Sequence, residues 1–517
     1  MNDLKTRIQD VLKAFLDGPL IKTAGNLLNV LGYRSDKTFS LRPNDYKGFT
    51  DYFLQKSNAF DAVRARTVEW QSIDILFQLT EDELKTQHTL FEIREVDNRI
   101  IESYLFFAVA LTGEAYTRGD LVRITREINK LTPMPSMLLF FYNHRLTIAV
   151  IDRRRHKKEH SRDVLEKVTL IKDIDCIKPH RAHIEILNDL ALDQLRQRHG
   201  FTNFIELQNA WQKTLDITEL NRRFFKEIAD WYFWAIRNTT FPKDAGKERE
   251  TRQAVSVIRL ITRLIFVWFI REKGLIPEDL FDRRKLDGLL NFEDPRGSAY
   301  YKAILQNLFF ATLNQEMNTA KNPDRRKFRS RAKEPGRRDS HYMIHNVYRY
   351  EDAFKDADAA LKVFSSIPFL NGGLFECLDR PDKKDPQKIL RIDGFSDHPK
   401  NELVVPDFLF FSAPVDTDLN ADYGTKNKRY TVQGLIPIFE KYKFTIDENT
   451  PVEEEIALDP ELLGKVFENL LAAYNPETGA TARKQTGSFY SPREIVNDMV
   501  DEALIAYLEA KLAEDHA

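Results

Sequence analysis

The segment Gly487-Ser488-Phe489-Tyr490-Ser491-Pro492-Arg493-Glu494 joins a glycine and two aromatic residues to a helix start, because Ser491 and Glu494 have capping-box spacing around Pro492. A helix N-terminus offers free N–H groups and the positive end of its dipole, which suits a phosphate or a carboxylate. The same pattern also serves an ordinary capped helix. Two basic runs have the composition to meet the phosphates of double-stranded DNA, the sequence-independent part of DNA affinity. One is Arg153 to Lys158. The other, Lys321 to Arg338, sets nine basic residues against Asp324 and Glu334, and its candidate contacts are Arg325, Arg326, Lys327, Arg329, Arg331, Arg337 and Arg338. Either run reads equally as a solvated face. The eleven histidines show no His-Glu-x-x-His or comparable ligand spacing, and Cys176 and Cys377 stand far apart, so no zinc site and no disulfide framework is expected. Both cysteines read as small core residues. Asp244-Ala245-Gly246-Lys247 lacks the earlier glycine and the following Ser or Thr of a phosphate loop.

The elements that must position these groups follow from periodicity. The N-terminal residues pattern as an amphipathic helix. Leu121, Ile124, Ile128 and Leu131 recur at helical spacing before Pro133 and Pro135. Met137 to Phe141 and Leu146 to Ile151 then alternate across Tyr142-Asn143-His144-Arg145, which is a hairpin signature. A mixed α/β N-terminal domain is expected over residues 1–200. Apolar residues such as Phe224, Ile228, Trp231, Val257, Ile261 and Leu264 recur at helical spacing over 201–295, giving a mainly helical domain. Residues 296–450 read as a connector whose basic segment, 321–338, is a mobile loop. In 451–517, Asp459-Pro460 and Ser491-Pro492 each start a helix with an apolar stripe.

The 517 residues, 42% hydrophobic and 30% charged, suffice for several cores, and 77 Lys+Arg nearly balance 79 Asp+Glu. That excludes disorder as the main state. Uncharged apolar runs such as Leu264 to Ile270 are far shorter than the ~20 residues of a membrane span, and no cleavable leader is legible, so a cytoplasmic protein is expected.

Leu463-Gly464-Lys465-Val466-Phe467-Glu468-Asn469-Leu470-Leu471, followed by Gly487 to Pro492, resembles the start of the methyltransferase domain in type IIG restriction-modification enzymes. In those proteins one chain methylates adenine and cleaves DNA. The resemblance extends through Leu370-Asn371-Gly372-Gly373-Leu374-Phe375-Glu376 and Ile265 to Gly274, and so covers most of residues 200–517. It implies an α/β methyltransferase fold, with Phe489, Tyr490, Ser491 and Pro492 as the first contact with S-adenosylmethionine. Serine at 491 replaces the usual threonine and keeps the hydroxyl. The glycine-rich cofactor loop and the Asn-Pro-Pro-aromatic tetrapeptide that holds a flipped adenine do not occur here. The expectation is therefore a fragment, a truncated frame or one half of a split enzyme, with a second polypeptide carrying the rest of the methyltransferase domain.

The same family often carries a magnesium-dependent nuclease in its N-terminal domain, with an acid followed by Glu-x-Lys on a neighbouring strand. The local match is Asp74 with Glu83-Leu84-Lys85, and Glu92-Ile93-Arg94 with Glu102 is weaker. Against it, Thr80 and Glu83 form a capping box that would put Glu83 and Lys85 on different faces of a helix, so the domain is expected to be at most a degenerate nuclease. Two other readings stand beside the methyltransferase: a non-catalytic DNA-binding or assembly subunit, and a magnesium nuclease acting alone.

Overall fold

The computed structural model describes residues 2–53, 60–84, 103–132, 134–152, 167–246, 248–292, 297–329, 344–370, 373–385, 388–396, 401–445, 453–458 and 493–515. The chain forms two compact units, one of residues 1–227 with 436–459 and one of 228–435 with 460–517. The division falls inside the helix Ile217–Asn238.

The first unit is built on a mixed sheet. Its strands are β1 (Trp70–Leu79), β2 (Tyr104–Leu111), β3 (Ser136–Tyr142), β4 (Arg145–Asp152) and β5 (Lys167–Asp175), neighbours in that order. A short strand, Glu453–Glu455, adds in parallel beside β5. β2 and β3 run parallel, and the others among β1 to β5 pair antiparallel. The β2–β3 crossover is the helix Arg118–Asn129, capped by Thr117 and Asp120 in a reciprocal box. The expected hairpin is β3–β4, and Asn143 and His144 take φ of 41° and 60°, as a two-residue turn between twisted strands requires.

All eight residues of β2 are buried. Leu105, Phe107 and Val109 join the core that includes Phe49, Leu121 and Ile128. Tyr104 and Phe106 point the other way, onto Trp211 at 4.7 and 6.5 Å between ring centres. Trp211 donates to the Tyr33 hydroxyl at 2.7 Å, so the second core also pairs its polar atoms.

The second unit is mainly helical. The helix Arg249–Glu272 is long and apolar enough to cross a membrane, which the run-length count did not register, but 83% of its most apolar window is buried within the protein. The π-helical segment Tyr300–Leu313 is almost wholly buried, and Asp407 accepts from the backbone N–H of Tyr300 at 2.8 Å and so closes its N-terminus. Cys176 and Cys377 are both buried and free, as expected.

Candidate functional site

The acid of the nuclease match, Asp74, sits on β1 and is buried. Asn44 donates to its Oδ1 from 3.2 Å, while the backbone N–H of Ile73 donates to Asn44 O at 3.0 Å. Burial pushes the Asp74 carboxyl up and the Asn44 bond draws it partly back. The neighbouring strand is Tyr-Leu-Phe-Phe-Ala-Val-Ala-Leu, without an ionisable carboxylate or amine, and its residue opposite Asp74 is Ala108.

Glu83 belongs to a different group. It lies in the short helix Glu81–Leu84 and closes the expected box, accepting from Thr80 N at 2.7 Å and Thr80 Oγ1 at 2.6 Å. Lys37, itself buried, donates to Glu83 Oε1 at 3.0 Å and to Thr80 Oγ1 at 2.8 Å, and Ser35 donates at 2.9 Å. Burial raises this carboxyl, but the bonds from Thr80, Lys37 and Ser35 outweigh it and hold Glu83 below the usual carboxylate range. Lys85, Glu92, Arg94 and Glu102 lie outside the described residues. Glu83 is thus held by lysine and hydroxyls of its own corner, and the strand facing Asp74 offers no ligand. These residues do not fit a magnesium centre.

In the second unit, the two segments that carried the family resemblance meet. Arg263, two residues before Ile265 to Gly274 on the helix Arg249–Glu272, donates to Leu374 O at 2.8 Å and Glu376 O at 3.0 Å. Phe266 and Phe375 lie 5.7 Å apart between ring centres. Asp393 anchors the same guanidinium at 3.0 Å, takes a second bond from Arg259 at 3.3 Å and accepts from Leu378 N at 2.8 Å. A buried ion pair whose groups make further hydrogen bonds is the arrangement that survives desolvation.

The basic segment divides by role. In its described part, bridges tie Thr319 to Asn322 and Phe328 to Tyr348. Arg326 is buried and donates to the carbonyls of Thr312, Gln315, Phe364 and Ile367, thereby capping the C-terminal ends of Tyr300–Leu313 and Ala357–Ser365. It is withdrawn from the DNA-contact set. Arg325 pairs with Glu316, Arg329 is half-buried, and Lys327 is exposed. Arg331, Arg337 and Arg338 lie outside the described residues, as do Arg153 to Lys158. So do Phe489, Tyr490, Ser491 and Pro492 and the Leu463 to Leu471 stripe. The helix after Pro492 is present as Arg493–Asp515, and Met499, Val500, Leu504, Ile505, Tyr507 and Leu508 are exposed on it.

A further grouping went unread in the sequence. His345, Cys377 and Asp379 bring one ligand atom each to within 4.8 Å of one another. Cys377-x-Asp379 places two donors two residues apart, but only the fold brings His345 to them.

Over 245 residues the chain is 27% identical to a protein of Methanocaldococcus jannaschii named as a type II restriction enzyme and methyltransferase. That similarity covers 46% of this chain and 14% of the relative's length. No protein-family model and no solved structure matches the chain.

Proposed function

We propose that this chain is part of a restriction-modification enzyme of the type IIG kind, which transfers a methyl group from S-adenosylmethionine to the exocyclic amine of adenine in double-stranded DNA. The observation that carries this reading is the 27% identity over 245 residues to the M. jannaschii restriction enzyme and methyltransferase. The packing of Phe266 on Phe375 supports it, since these residues lie in two segments that resemble the family. S-adenosylmethionine, when bound, supplies the methyl group. Phe489, Tyr490, Ser491 and Pro492 are the residues assigned to hold it. The tetrapeptide that would hold a flipped adenine is assigned to polypeptide outside this sequence, in the same or a second chain. Lys327, Arg325, Arg329, Arg331, Arg337 and Arg338 are assigned to DNA phosphates. No cleavage step is assigned to Asp74.

A second reading, a DNA-binding or assembly subunit beside a separate methyltransferase chain, draws on the exposed apolar residues of Arg493–Asp515. One experiment separates the two. The chain is expressed in a host without adenine methylation, alone and with a polypeptide carrying the glycine-rich loop and tetrapeptide, and genomic N6-methyladenine is mapped. Methylation at one DNA motif that needs both polypeptides and is lost in Tyr490→Ala supports the first reading. Methylation that needs this chain but is indifferent to Tyr490→Ala supports the second, and no dependence on the chain overturns both.

A further inference from the structure

We propose that His345, Cys377 and Asp379 form a zinc-class metal site that clips the stretch around His345 to the stretch following Leu370 to Glu376. The three donors are an imidazole nitrogen, a thiol sulfur and a carboxylate oxygen, all within 4.8 Å of one another, with Cys377 and Asp379 buried and His345 half-buried. A tetrahedral zinc ion at about 2.0–2.3 Å from its ligands would draw such atoms to roughly 3.3–3.8 Å apart, a closure that side-chain rotation supplies. His345 has no hydrogen-bond partner among the described residues.

Cys377 and Asp379 are set as ligands rather than as loose core groups. Cys377 is buried and stands two residues before Asp379, so one short turn of chain presents both donors. Asp379 Oδ1 accepts from the N–H groups of Ile392, Asp393 and Gly394 at 2.7, 2.8 and 3.0 Å, whereas Oδ2 accepts only from Phe395 at 2.9 Å. A carboxylate oxygen has two lone pairs, so Oδ2 keeps one for a metal while Oδ1 fixes its direction. Gly394 makes that cradle at φ +64°, where a Cβ would lie 2.9 Å from Pro242 Cγ.

Charge decides which cation. Asp393 pairs with both Arg263 and Arg259 and balances one of the two, and Arg349 adds a further positive charge on the His345 side, donating to Ile344 O at 2.6 Å. That residual positive charge opposes a hard ion held by electrostatics alone. Sulfur and nitrogen donors add the covalent affinity that favours zinc over magnesium. Binding releases the thiol proton, and the thiolate with Asp379 offsets the dication. Water completes the fourth position.

The test uses the full purified chain without an affinity tag. Metal content is measured after dialysis, and the stripped chain is titrated with Co2+ while the thiolate-to-cobalt charge-transfer absorption is followed. One zinc or cobalt per chain is expected, with Cys377→Ser losing the absorption, His345→Ala losing the bound metal and Cys176→Ser retaining both. Circular dichroism accompanies each variant. His345 is half-exposed and its replacement leaves the core intact, so it remains decisive where Cys377→Ser does not fold. A folded chain that shows no cobalt absorption overturns the proposal, as does stoichiometric metal retained in His345→Ala.

Discussion

Asp74 on β1 lies directly across the antiparallel ladder from Ala108 on β2, which brings no acid to it. Asp74 is instead tied to Asn44 at 3.2 Å, and Glu83 faces Lys37. Supercoiled plasmid incubated with magnesium should therefore be treated alike by the wild-type chain and by Asp74→Asn. A loss of cleavage confined to the variant would restore Asp74 as a catalytic acid. The pH dependence has a definite sign. The folded-state pKa of Asp74 is raised, so its contribution to stability is fully present below the unfolded carboxyl pKa and is lost as pH rises through the folded one. Asp74→Asn, a mimic of the protonated form, should be no less stable than wild type at neutral pH, as urea denaturation would show.

Glu83 behaves oppositely. Its pKa is lowered, so its contribution is present above the unfolded value of about 4.3 and is lost as pH falls through the folded one. Glu83→Gln leaves the Lys37 ammonium without its buried partner and should destabilise the protein by about 3 kcal/mol. Chemical denaturation at pH 7 and pH 3 checks both statements: the gap between wild type and variant should be large at the first and small at the second.

How far the sequence could be read depends on the range of each contact. The β3–β4 hairpin, the Arg118–Asn129 helix and the Thr80–Glu83 box are local, and spacing alone locates them. The parallel strand Glu453–Glu455 comes from far along the chain to join β5, and an acidic tripeptide carries no strand signal. Arg326 shows the same limit at a site. Its charge resembles that of its neighbours, and only the three-dimensional arrangement turns it inward onto two helix ends. His345 and Cys377 are separated by enough chain that no ligand motif relates them.

Arg326 and Lys327 should part company on mutation. Arg326→Ala removes the side-chain donor shared by four carbonyls, of which Thr312 O and Phe364 O keep backbone partners, and should cost about 2–3 kcal/mol of stability. Lys327→Ala should leave the melting temperature unchanged and weaken DNA binding. Combined with alanine at Arg325, Arg329, Arg331, Arg337 and Arg338, it should flatten the log–log salt dependence by about 0.9 for each phosphate contact removed. A slope that stays put in the combined variant would make the segment a solvated insertion.

Finally, the helix Arg493–Asp515 exposes apolar side chains at positions that recur on one face, with Val500, Leu504, Tyr507 and Leu508 each at least half exposed. Each Leu or Val buried is worth about 1.5–3 kcal/mol, and a contiguous face of them marks either a binding surface or a route to aggregation. The double variant Leu504→Lys, Leu508→Lys should therefore reduce self-association of the chain, measured by light scattering against concentration. It should leave the urea midpoint in place, because the mutated side chains give up no contact within the folded chain. It should also abolish N6-methyladenine formation if the face receives a methyltransferase-bearing polypeptide. A fall in the urea midpoint would show instead that the face packs against its own chain.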